Sequence, residues 1–134
     1  MKIFIKGTVA LTAAVVVMAF AVTGCSPLNS LTVGKNNVNG LKSAIDCKPD
    51  EALQSLKGAT SSDIGEYRRI GYQLTAAVFK EQGQSQKFDE TVQGFKNDPI
   101  LKDKDEKTFL YEVGCFEEYF KEQRLKKTDR KTCG

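Results

Sequence analysis

The segment from residue 64 to residue 81 constrains the fold most. Ile64, Tyr67, Ile70, Gly71, Leu74, Ala77, Val78 and Glu81 recur three and four residues apart, and seven of these eight are apolar or small. That spacing puts one continuous stripe on an α-helix and has no place on a strand. Asp63 and Glu66 are spaced as a capping box at its start, and Gly83 stops it. Nowhere does strict apolar-polar alternation run long enough to suggest a strand, so the partners of this helix must be other helices.

Those partners are readable. Leu41, Ala44 and Ile45 form a short apolar face that ends near Asp46 and Cys47. Pro49 suits the first turn of a new helix, Asp50 and Glu51 complement its N-terminal dipole, Leu53 and Leu56 face inward, and Gly58 closes it. Ser85 is placed to cap a helix carrying Phe88, Val92 and Phe95, which must end before Pro99. Asp103 and Glu106 give a second capping-box spacing. Beyond them Phe109, Val113, Phe116 and Phe120 line one stripe of a long helix running to about Lys127. This aromatic stripe reads as core packing rather than as the lining of a ligand groove. The expected fold is all-α: a small four- to five-helix bundle spanning residues 40–134.

Upstream the chain changes character. Lys2 and Lys6 precede an 18-residue run from Gly7 to Gly24 without a charge, rich in Ala and Val, which is the layout of a secretory signal. An uncleaved transmembrane anchor is the rival reading, since the run is just long enough to span a bilayer. Val22-Thr23-Gly24-Cys25 decides between them. It resembles the lipobox of bacterial prolipoproteins: an aliphatic residue, two small residues, then Cys. The resemblance implies cleavage between Gly24 and Cys25, removal of residues 1–24 and lipidation of Cys25. It also implies stable anchoring, because several acyl chains hold where one does not. Ser26 follows the Cys, and by resemblance to the sorting pattern of Gram-negative lipoproteins it points to the outer membrane. Residues 25–39, rich in Ser, Asn, Gly and Thr, read as a flexible tether with a reach of about 20 Å.

Composition excludes several functions. The chain has no His, which removes Ser-His-Asp and Cys-His nucleophile pairs and every His-containing zinc site. It has no Trp, so no indole platform for sugar stacking. Losing Lys2 and Lys6 with the signal lowers the net charge from +3 to +1, which is not the balance of a nucleic-acid binder. Asp103, Asp105 and Glu106 fail as an EF-hand because Lys107 and Phe109 occupy later ligand positions. Glu117 and Glu118 are helix neighbours that point about 100° apart, so neither set is a candidate metal or acid-base site. No cofactor is expected, and no catalytic residue.

With Cys25 acylated, Cys47, Cys115 and Cys133 remain, in an exported chain that meets an oxidising compartment. Joining Cys47 to Cys115 would close 69 residues and tie the first helical segment to the last. Joining Cys115 to Cys133 would close 19 and fold the tail along its helix. The first pair is favoured because both residues sit on elements that project side chains inward. Cys133 is then left as a free or intermolecular thiol, able to link a dimer or a partner. Lys121, Arg124, Lys126, Lys127, Arg130 and Lys131 gather positive charge at the C-terminal end. They either complement a helix dipole and solubilise the tail, or touch anionic lipid or an acidic partner.

The order of lipobox, linker, Cys after a first helical segment and Cys in the last helix is similar to helical secretin pilotins. Cys133 departs from that pattern. The resulting expectation is a non-enzymatic lipoprotein of the cell envelope that acts by binding an unknown protein partner, in the manner of a pilotin-like assembly accessory. The alternative is a surface exclusion or inhibitor lipoprotein that blocks phage, plasmid or a lytic enzyme.

Overall fold

The computed structural model of the chain describes residues 33–134. Five helices follow one another: α1 (Lys35–Ile45), α2 (Pro49–Thr60), α3 (Gly65–Glu81), α4 (Ser85–Asn97) and α5 (Glu106–Thr128). No strand occurs among the described residues, and none of their helices is long and apolar enough to cross a membrane. Short joints alternate the chain direction. The N-terminus of α1 therefore lies at the end shared by the α2–α3 and α4–α5 joints, and the C-terminal tail lies at the other end.

The centre is α3, which packs against all four other helices. Its buried residues are Ile70, Gly71, Gln73, Leu74, Ala76, Ala77 and Val78: the middle of the expected stripe is buried with Gln73 and Ala76 added, whereas Tyr67 and Glu81 at its ends are partly buried and Ile64, before the first turn, is exposed. Gly71 is needed for close approach: a Cβ there would lie 2.9 Å from the Ala59 Cβ and 3.0 Å from the Thr60 amide nitrogen. Small residues on both helices thus let the backbones of α2 and α3 come together, and a larger side chain would force them apart. Ala52, Leu56 and Ala59 are the buried positions of α2. Leu53 is only partly buried, because Ala52 takes the central place.

The Phe109, Val113, Phe116 and Phe120 stripe of α5 is buried, so it is core. Phe109 stacks on Phe95 with ring centroids 4.0 Å apart, and Tyr72 meets Phe95 edge-on at 6.3 Å. Loss of such aromatic packing is among the costlier core changes.

Helix starts differ in detail from the sequence reading. Asp63 does not cap α3; Ile64 holds the cap position, and the Ser62 hydroxyl accepts the Ile64 amide. Ser85 lies inside α4, whose cap position is Gln84. At α5 the cap is Asp105, not Asp103: its carboxylate accepts the Lys107 amide at 3.2 Å and the Thr108 hydroxyl at 2.5 Å. Gly83, at φ +74°, ends α3 as expected, with the Gln84 amide reaching back to the Phe79 carbonyl. Gly58 does not close α2, which runs two residues further to Thr60.

The tether reading also needs correction at its end. Residues 35–39 belong to α1, and Asn37 is buried with its side-chain amide donating to the Val33 and Tyr67 carbonyls. A polar, Asn-rich stretch reads as linker by composition, yet tertiary contact with α3 makes it helix. The signal segment, the Gly24–Cys25 cleavage site and residues 25–32 of the expected tether lie outside the described residues.

Candidate functional site

The most elaborated part of the molecule is the end where α1 and α5 finish. There the structure corrects the cysteine assignment. Cys47 forms a disulfide with Cys133, with Cα atoms 5.5 Å apart, and not with Cys115. The reason is position along α5. Cys47 follows the end of α1, which is held by Arg124, and Cys115 lies nine residues before Arg124, about 13 Å away along the helix. A disulfide requires Cα atoms within about 7 Å. The tail can make that approach because Asp129, at φ +65°, ends α5 in the left-handed conformation and turns the last residues back toward α1. Cys47 itself has φ +61°, at the turn into α2. With its thiol in the intramolecular bridge, Cys133 is not available to link a dimer or a partner.

Arg124 is the residue that the sequence reading misplaced. Grouped with solvated cations, it is instead 2% exposed. Its Nε donates to the Ile45 carbonyl at 3.0 Å and Nη2 to the Ala44 carbonyl at 2.8 Å. Nη1 donates to the Lys131 carbonyl at 2.6 Å and pairs with Glu81 at 2.9 Å. One guanidinium thereby satisfies the terminal carbonyls of α1, pairs with the end of α3 and holds the tail. A signal was present in the sequence: Arg124 lies four residues after Phe120 and continues the buried stripe of α5. Beside it Lys127 pairs with Asp46 at 2.6 Å, and Arg130 donates to the Gly134 carbonyl at 3.0 Å. Lys121 is 3.8 Å from Glu118, and Lys126 is exposed. The bridge, Asp46, Lys48, Arg124, Lys127 and Arg130 border an open cleft of about 370 Å³, in which Arg124 and Lys127 are already paired with carboxylates.

Two further depressions lie along α5, one against α4 and one against α3. At one end α4 and α5 meet through Phe95, Phe109 and a Lys96–Glu106 ion pair of 2.9 Å. Further along, a groove of about 390 Å³ lies between them, with Phe88, Leu110 and Val113 as its apolar lining. The third, of about 320 Å³, is bordered by Glu66, Arg69, Asp103 and Glu112. Arg69 is engaged there, at 2.6 Å from Glu66 and 2.8 Å from Glu112, and Gln73 donates to Glu112.

The carboxylates weighed for chemistry are each tied to a separate partner. Glu117 pairs with Lys80 at 3.3 Å, Glu118 with Lys121, Glu106 with Lys96, and Asp103 accepts the Asp105 amide. No group of three or more His, Cys, Asp or Glu side chains placed to hold a metal ion occurs among the described residues. The buried carboxylate is one that sequence reasoning passed over. Asp98 is 3% exposed and accepts from Arg68 Nε at 2.7 Å, from the Tyr72 hydroxyl at 2.8 Å, and from the Ile100 amide at 2.9 Å. Burial alone would raise its pKa, but the bonds from Tyr72, Arg68 and Ile100, with the Arg68 charge, outweigh it and hold the group below its ordinary value. The Tyr72 phenol is pushed up to about 12, first by burial and then by its bond to Asp98. The cluster locks the joint after α4. Its only sequence signal is Asp98 before Pro99, a turn-forming pair.

Cys115 is half-buried on α5, and burial pushes its thiol up. A raised pKa favours the neutral thiol over the nucleophilic thiolate. No protein-family model matches the chain, and no curated protein and no solved structure matches it.

Proposed function

We propose that this chain is a lipoprotein of the bacterial cell envelope, anchored through Cys25 after cleavage at Gly24–Cys25, whose helical domain works by binding another protein. The observation that carries the proposal is Val22-Thr23-Gly24-Cys25, placed after a basic start and a charge-free apolar run. A disulfide-closed bundle downstream fits an oxidising compartment. Ser26 favours the outer membrane if the host is Gram-negative.

The fold adds a direction to this reading. The chain enters the domain at the α1 N-terminus, whereas the cleft beside the Cys47–Cys133 bridge lies at the opposite end of the bundle. The 11 residues of α1, whose last residue lines that cleft, set the two about 16 Å apart. Lys48 and Arg130 line that cleft beside the paired Arg124 and Lys127, which suits an acidic protein surface. The groove at Phe88, Leu110 and Val113 is suited to an apolar side chain of a client segment. Both features support a pilotin-like accessory, which carries a client through the envelope.

Deletion in the native host tests the role. Loss of a secretin or another envelope assembly, restored by the intact gene, is the expected outcome. An unchanged envelope with altered phage infection or conjugation would overturn the accessory role in favour of surface exclusion.

A further inference from the structure

The Cys47–Cys133 bridge sits where the chain can open without disturbing its core. Every residue after Arg124 is exposed, Cys133 included, whereas Cys47 is partly buried. Residues 129–134 lie beyond the last helix and form a strap that runs back to the end of α1. Besides the bridge, the strap is joined to the bundle through the Lys131 carbonyl, which accepts from Arg124 Nη1 at 2.6 Å. Its other side-chain bonds are local: the Arg130 amide donates to the Thr128 hydroxyl, and the Arg130 guanidinium to the Gly134 carbonyl. Releasing the strap therefore exposes little that is apolar.

Cys47 occupies a backbone position that ordinarily takes glycine. At the end of α1 the Cys47 amide donates to the Ala44 carbonyl at 3.1 Å and the Lys48 amide to the Ser43 carbonyl at 2.8 Å. This double closure puts a left-handed residue just past the helix, and Cys47 has φ +61°. At the same place after α3 the chain carries Gly83, at φ +74°. An L side chain there costs the backbone energy, so residue 47 is a cysteine for its sulfur. Both bridge residues border the open cleft of about 370 Å³, which gives another thiol room to approach. Lys48 and Arg130 line the same cleft, and Asp46, the carboxylate among its lining residues, is already paired with Lys127 at 2.6 Å. Cationic surroundings lower the pKa of a departing thiolate and make it a better leaving group.

We propose that the Cys47–Cys133 bridge is a thiol–disulfide exchange site for a protein dithiol, and that its reduction frees residues 129–134 while the five helices stay folded. One thiolate of the dithiol attacks the exposed Cys133 sulfur, a mixed disulfide forms, and Cys47 leaves as a thiolate and takes up a proton. The second thiol of the dithiol then attacks its own neighbour's sulfur in the mixed disulfide, and Cys133 leaves and is protonated. Two electrons and two protons pass to the bridge: it becomes two thiols and the dithiol becomes a disulfide. Arg130, Thr132 and Cys133 thereby leave the cleft wall, and the Lys131 carbonyl leaves Arg124. The oxidised and reduced chains present different surfaces at this end of the bundle, whatever the cleft binds.

Reduction of the full chain in detergent by dithiothreitol tests this, with thiols present at the start blocked beforehand and new thiols counted by maleimide gel shift. Two new thiols should appear in native buffer with the helices intact by circular dichroism, and trypsin should then cut at Arg130 and Lys131 at least about tenfold faster. The reduction rate should change less than about threefold as urea approaches the unfolding midpoint, because only local opening is needed. A bridge reached through global unfolding would instead be reduced about tenfold faster per molar urea, and that result would overturn the proposal. Loss of the helices on reduction would overturn it too. Lys48→Glu combined with Arg130→Glu should slow reduction by at least about threefold with the helices intact; an unchanged rate would contradict the role given to the cleft.

Discussion

Replacing Arg124 by Met should destabilise the domain by about 3 to 5 kcal/mol, the cost of removing one partner from a buried, multiply bonded charge. Met keeps much of the aliphatic volume, so the loss comes from polar groups left behind. The Ile45 carbonyl loses the guanidinium at 3.0 Å, the Ala44 carbonyl loses one of its donors and keeps the Cys47 amide at 3.1 Å, Glu81 loses its pair, and the Lys131 carbonyl is released. Each buried acceptor left without a donor costs about 1 to 3 kcal/mol. A domain of this size has a total stability of about 5 to 15 kcal/mol, so the variant should unfold at clearly lower urea concentration. Arg124→Lys should recover only part of the loss, because an ammonium cannot reproduce the guanidinium fork that spans α1, α3 and the tail. Urea midpoints of the three proteins check this; equal midpoints for wild type and Arg124→Met would show that the buried arginine contributes no net stability.

The disulfide carries the second large effect. Cys47 and Cys133 are 86 residues apart, and closing a loop of that length restricts the unfolded chain by about 4 to 5 kcal/mol in the chain-entropy model. Part of this is offset. Residues 129–134 are exposed and gain freedom in the folded state once the bridge is cut. Cys133→Ser should therefore cost about 2 to 4 kcal/mol, with the tail becoming the first site of proteolysis. Non-reducing peptide mapping of exported protein should recover Cys47 joined to Cys133, with Cys115 outside the bridge. A Cys47–Cys115 peptide instead would contradict the fold at the end of α1.

The helices were legible because their signals are local. The stripe through Ile70, Leu74 and Val78 and the stripe through Phe109, Val113, Phe116 and Phe120 each repeat along one element, so periodicity reveals them without knowledge of neighbours. The disulfide was not legible, since it depends on where the tail turns after Asp129 and on how far along α5 the end of α1 rests. Both are tertiary facts. Arg124 was misread for a related reason: composition groups it with Lys126 and Lys127, and only its register with Phe120 sets it apart. Asp98 likewise gains its role from Arg68 and Tyr72, 30 and 26 residues away. The helix caps differed by one or two positions, as expected where several Asp and Ser residues crowd a joint.

The proposed role rests on Cys25, so the most direct measurement is metabolic labelling with a radioactive or clickable fatty acid followed by membrane fractionation, for wild type and Cys25→Ala. Wild type should take up the label and sediment with the membrane; Cys25→Ala should lose the label and the processing at Gly24–Cys25. A wild-type chain that stays in the membrane unlabelled and at its full unprocessed length would contradict the lipoprotein reading and leave the apolar run before Cys25 as an uncleaved anchor.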